Sequence, residues 1–201
     1  MALDRRLSRE TLIVLAVAGA LLALGAVSGG TLLGRPPFLG GPALPWWVVA
    51  AAFAVTEAVV MHIQDEREAQ SVSLSELPLV LGLFLASPVD LLVGRLVGSA
   101  VVFVVRRRAT PLKTCFNVVL VACESCVAIR VFDVVAAWGH GAAAGSWLAA
   151  YAAAGVANAV TAVALGVVIA GYDGGIRPRR LLWDAVAGQP AMPIVVTIAL
   201  V

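Results

Sequence analysis

The sequence predicts an all-α protein: a polytopic bundle of transmembrane helices, with about seven spans in this chain and an eighth expected beyond Val201. Three observations lead there. Hydrophobic residues make up 61% of the 201 residues and charged residues 13%, against roughly 45–50% and 25% in soluble domains. The mean hydropathy is +0.99, so a surface this poor in charge has to face lipid. The apolar residues also gather in stretches close to the roughly 20 residues that a spanning helix needs. Composition excludes other classes too. The chain is far too apolar to stay disordered. A net charge of +2 is too small for the electrostatic footprint of a nucleic-acid binder. Residues 1–201 read as a single integral-membrane domain.

The first span is expected over residues 11–27, behind a basic start with Arg5, Arg6 and Arg9. A cleaved signal peptide shares that layout, but the run is long for a signal core and further spans follow, which favours a retained helix. Pro36-Pro37 and Gly40-Gly41-Pro42 mark residues 28–45 as a loop. The second span, 46–63, opens on the interfacial pair Trp46-Trp47. Residues 64–72 are charged and read as a loop. A short third span, 73–86, carries Pro78 near its start, where a helix tolerates proline. The Ser87-Pro88 turn leads to a fourth span, 89–105, which stops at Arg106-Arg107-Arg108. The fifth and sixth spans are expected over 114–138 and 146–171. A seventh, 181–201, is still apolar at Val201, so a longer protein is expected, with this chain as its N-terminal piece.

Basic residues favour the cytoplasmic side of a membrane. With the N-terminus inside the bacterial plasma membrane, eleven basic residues near span ends fall in the cytoplasm and only Arg35 outside. Trp46, Trp47, Trp138 and Trp147 then form an outer aromatic belt, and Tyr172 and Trp183 mark the inner face. Arg106, Arg107, Arg108 and Lys113 make a basic inner cluster suited to anionic headgroups.

Ionisable groups inside a span are costly, so they face the bundle interior and find partners. The candidate polar or sensory cluster is Glu57, Glu76, Arg95, Asn117, Glu124, Arg130 and Asp133, with Asn158 as neutral company. Glu57 and Glu124 are expected near mid-membrane and Arg95 and Arg130 nearer the outer face. Either acid can reach either base, and Asp133 lies one turn from Arg130. One reading is a ligand-sensing or proton-linked pocket. The other is a set of ion pairs that only fix helix packing. Two acids balanced by two bases favour packing, whereas unpaired acids would point to a relay.

Ser73-x-x-Glu76 has capping-box spacing for the third span; a ligand or partner contact is the alternative. Gly94-x-x-x-Gly98, with Ser99, gives the fourth span a small face for close helix contact. The same motif is a weak pointer to a homodimer. Cys123-x-x-Cys126 reads as small buried packing residues in preference to a redox pair or half a metal site. His62 and His140 sit at span boundaries without metal-ligand companions. No cofactor or metal is called for, and no catalytic signature such as GxSxG, HExxH or a phosphate-binding loop is present.

Residues 62–134 are the distinctive part. They hold the run from His62 through Ser73-Leu-Ser-Glu76-Leu-Pro78, the Ser87-Pro88 turn, Gly94/Arg95/Gly98, the Arg106 cluster, and Lys113-x-x-Phe116-Asn117 leading to Glu124. This pattern resembles the N-terminal multi-span region of actinobacterial-type cyclic-di-GMP signalling proteins, in which it precedes cytoplasmic GGDEF and EAL domains. The resemblance implies a membrane-embedded sensory or anchoring module. Its partners would be the bilayer, a second copy of itself, and a downstream cytoplasmic signalling domain, with an unknown small-molecule signal. Any cyclase or phosphodiesterase residues would lie beyond Val201. The Ser-Leu-Ser-Glu-Leu-Pro start, the proline turn and the glycine-rich helix also resemble the substrate-binding subunits of vitamin-uptake transporters. A purely structural membrane protein is the third expectation.

Overall fold

The computed structural model describes residues 9–30, 34–66, 74–107, 111–139 and 143–173. They form six helices: α1 (Arg9–Gly29), α2 (Trp46–Glu66), α3 (Glu76–Leu85), α4 (Pro88–Arg107), α5 (Pro111–Trp138) and α6 (Ala143–Asp173). No strand occurs among the described residues; Leu44 and Ala86 make one isolated bridge.

The all-helical expectation stands, but the count of spans does not. Among the described residues two helices, and not about seven, are long and apolar enough to cross a membrane: α1 over Thr11–Gly29 and α6 over Ala144–Gly171. The physical reasons differ between the others. α3 has ten residues, about 15 Å at the helical rise, or half of a hydrocarbon core of about 30 Å. The apolar part of α2 is confined to Trp46–Ala58. Asp90 and Arg95 interrupt α4, and Lys113, Glu124, Arg130 and Asp133 interrupt α5. α5 is the central helix, packed on α1, α4 and α6, so its apolar residues serve the core and not a lipid face. The expected span 181–201 lies outside the described residues. So do Ser73, Arg108, His140, Arg177, Arg179, Arg180 and Trp183, and the side chains of His62, Arg106, Arg107 and Tyr172.

Two apolar clusters line up along α5. Phe53, Leu79, Val80, Ile129 and Phe132 join the first, which is closed by Ala149, Ala150, Ala153, Ala154 and Ala157 on α6. That alanine stripe is fully buried and lets the α6 backbone come close, as small residues do between membrane helices. Val14, Leu21, Phe116, Leu120 and Cys123 form the second cluster. A Cβ built on Gly25 would stand 3.3 Å from Cys123 Cα, so Cys123 serves here as a packing residue between α1 and α5. Elsewhere α1 and α6 expose Leu12, Leu22, Leu148 and Val167.

One end of the bundle is held by the 34–45 loop. Leu39 N–H donates to Phe84 O at 3.2 Å and Leu44 N–H to Leu85 O at 2.9 Å. Gly40, at φ +66, closes a turn by donating its N–H to Pro37 O. Phe38, Phe84 and Phe132 meet edge to face, with centroids 5.0–5.7 Å apart. The exposed Trp46, Trp47, Trp138 and Trp147 stand on helix ends at this same end of the bundle.

Helix starts follow local chemistry. Ser87 caps α4: its Oγ accepts the Asp90 N–H at 3.1 Å and donates to Asp90 Oδ2 at 2.6 Å. Pro88 fills the first helical position, where a missing N–H costs nothing. Ser87→Ala is expected to lower stability by about 1 kcal/mol, read from the thermal midpoint of the detergent-solubilised chain; an unchanged midpoint would show that the cap is idle. α3 behaves differently. Ser75 holds its N-cap position in helical geometry without a side-chain cap bond, and Glu76 turns inward. The expected capping-box partner Ser73 lies outside the described residues.

Candidate functional site

The polar residues inside the bundle converge where α2, α4 and α5 meet. Arg95, 4% exposed, reaches Glu124 with Nη2 2.9 Å from Oε1. Its Nη1 donates to Ser125 Oγ at 3.4 Å, and Ser125 Oγ donates to Val121 O at 2.7 Å. Its guanidinium lies 5.3 Å from the centroid of the Phe53 ring, a cation–π contact on a fully buried aromatic face. Nearby on the α2/α4 seam, Ser99 Oγ donates to Glu57 Oε1 at 3.3 Å. α2 and α4 run parallel, because Phe53 and Glu57 face Arg95 and Ser99 in the same order.

The seam is tight because α4 offers glycines to α2. A Cβ on Gly94 would stand 2.6 Å from Trp46 O, and one on Gly98 would stand 2.5 Å from Ala50 O. The Gly94-x-x-x-Gly98 face is thus used within the chain and is not available to pair a second copy.

Glu76 opens a second part of the site. α3 ends beside the 34–45 loop and is only ten residues long, so its first turn begins deep in the bundle and not at an interface. Glu76 is 4% exposed. Asn158 Nδ2 of α6 donates to its Oε1 at 2.6 Å. Its other oxygen, Oε2, is buried without a hydrogen-bond partner, as is Thr161 Oγ1 one turn along α6. The Glu124 carboxylate is near enough to repel Glu76.

The expected cluster therefore divides. Glu57, Glu76, Arg95 and Glu124 gather inside the bundle. Arg130 is exposed and stands apart from them. Asp133 makes its contact ion pair with Arg35 of the 34–45 loop, while its neighbour Arg130 acts on it at longer range. Asn117 lines a separate cavity of about 450 Å³ with Lys113, Phe116 and Leu165. The consequence is electrostatic. The sequence suggests two acids against two bases, whereas among the described residues Arg95 and Glu124 pair in the interior, Glu76 lies beside them and Arg130 is exposed.

Ser99, Ser125 and Phe53 were not among the expected members. Two of them had a signal: Ser99 is one turn after Arg95, and Ser125 adjoins Glu124. Arg35 had none, because its partner lies 98 residues away.

A cavity of about 270 Å³ opens beside the Arg35–Asp133 pair, walled by Phe38, Leu83, Leu91 and Phe132. A groove of about 600 Å³ between α1 and α6 is lined only by Ala, Val and Leu. It offers no polar chemistry. The chain matches no family model, no curated protein and no solved structure. The likeness to cyclic-di-GMP signalling proteins thus rests on the sequence phrases alone.

Proposed function

We propose that this chain is the membrane-embedded sensory and anchoring module of a bacterial signalling protein, controlling a cytoplasmic GGDEF/EAL cyclic-di-GMP output domain beyond Val201. It lies in the plasma membrane as a multi-pass protein with its N-terminus in the cytoplasm. α1 and α6 supply the lipid-facing anchor, consistent with their length and apolar composition. The basic start with Arg5, Arg6 and Arg9 ahead of α1 supports the orientation.

The observation that carries the sensory part is the buried Arg95–Glu124 pair at a seam of three helices, with Glu57 and Glu76 nearby. A buried ion pair adds little net stability over well-packed apolar residues, so stability alone is a poor account of it. An ion pair that can be made or broken at this seam gives the bundle two alternative arrangements. A signal that favours one of them shifts a two-state equilibrium, which is how a ligand or a change in the membrane would reach an output domain.

The test uses cells expressing the full reading frame, with Glu57→Gln, Arg95→Gln and Glu124→Gln compared with wild type. Cyclic-di-GMP per membrane-inserted molecule is expected to change several-fold in the Arg95 and Glu124 variants. Changes in protein abundance alone would reduce the centre to helix packing. A frame that stops shortly after codon 201 would remove the output domain from the reading. A second reading, the substrate-binding subunit of a vitamin-type uptake transporter, is favoured by the cavity of about 270 Å³ beside Arg35 and Asp133. It predicts radiolabelled-vitamin uptake that depends on those two residues.

A further inference from the structure

We propose that Glu76 is a proton-binding site: with α3 packed on α6, its carboxyl group holds a proton at neutral pH. This concerns the chain itself and stands whether or not an output domain follows. Four observations converge. Glu76 is buried, and Oε2 has no hydrogen-bond partner. A carboxylate in that position would hold a full buried charge against a single amide donor, which is far more costly than a neutral acid. The 2.6 Å between Glu76 Oε1 and the Asn158 amide is shorter than the usual N–H···O separation and typical of O–H···O. Amide nitrogen and oxygen exchange by a flip; turned over, Asn158 presents its oxygen to a Glu76 O–H.

The fourth observation is the charge around the site. From α5, Glu124 faces Glu76 and opposes a second negative charge. From α4, Arg95 is committed to Glu124 and Ser125. On α2, Glu57 accepts a hydrogen bond from Ser99. α6 contributes Asn158 and Thr161, which do not titrate. None of these groups compensates an ionised Glu76. Glu76 also stands in the first turn of α3, where the N–H groups favour negative charge only weakly. That is small beside the penalty for an unpaired buried ion.

The experiment is an isotope-edited infrared titration of the whole chain in phosphatidylethanolamine/phosphatidylglycerol nanodiscs. A glutamate in water titrates near pH ~4.3. A protonated-carboxyl C=O band at pH 7 is expected, lost in Glu76→Gln and kept in Glu57→Gln. Asn158→Leu removes the hydrogen bond to Glu76 and is expected to move the band in frequency, which assigns it even if Glu76→Gln fails to insert. The thermal midpoint of wild type is expected to fall as pH rises, because the folded state holds a proton that the unfolded chain has released. In Glu76→Gln that slope disappears. No band at pH 7, or a band that ignores both Glu76→Gln and Asn158→Leu, overturns the proposal.

Discussion

Arg95→Leu is expected to destabilise the bundle by about 3–5 kcal/mol, the usual cost of removing one partner from a buried ion pair. The reason lies in what stays behind. Glu124 would be left without its guanidinium partner in a site that is 8% exposed. Ser125 would keep only its bond to Val121 O, and Phe53 would lose the cation over its ring. Glu124→Leu is expected to cost a similar amount, since it strands the guanidinium instead.

The double variant Arg95→Leu/Glu124→Leu separates pairing from burial. Removing both charges leaves no stranded ion, so its loss is expected to be smaller than either single loss. Chemical unfolding in mixed micelles would measure all three. Losses that simply add would mean that the two residues do not act as a pair in the folded chain. A double variant that is stable yet silent in signalling would be the outcome most favourable to a sensory centre, since the pair would then be dispensable for the fold.

The helical class was legible from composition and from the spacing of apolar stretches, because both are properties of local sequence. The number of membrane-crossing helices was not. Length and hydropathy cannot distinguish a lipid-facing span from a core helix, and α5 is a core helix: Phe116, Leu120, Cys123, Ile129 and Phe132 are all buried in it. The apolar run 73–86 predicts a longer α3 than the ten residues starting at Glu76 that form it. That shortening moves Glu76 from an expected interface to the interior and changes its chemistry from helix cap to buried acid. The charged residues themselves were legible, since ionisable groups in apolar runs stand out. Their partners were less so. Arg95 and Glu124 were paired correctly as one of several options, but Asp133 chose a loop arginine from a distant part of the chain. Partner choice depends on which helix faces meet, and that is decided by glycines and alanines with no charge signal of their own.

Those small residues give the second large effect. Gly98→Ala is expected to cost about 1–3 kcal/mol, the range for overpacking a tight contact. Alanine at an exposed helical site normally gains about 0.5–1 kcal/mol over glycine. The sign reverses here because the new Cβ would stand 2.5 Å from Ala50 O and 2.9 Å from Phe53 Cβ. A backbone carbonyl has no rotamer through which to escape, so α2 as a whole has to move away from α4. That movement reaches the polar centre, since Phe53 lies under Arg95 and Glu57 accepts from Ser99 on the same seam. Gly19→Ala on α1 is the matched control. Its Cβ would meet nothing within 4 Å, so only the helix-propensity gain remains. Unfolding of both variants in the same micelles should move the two midpoints in opposite directions. A stabilised Gly98→Ala would mean that α2 and α4 do not meet along this face.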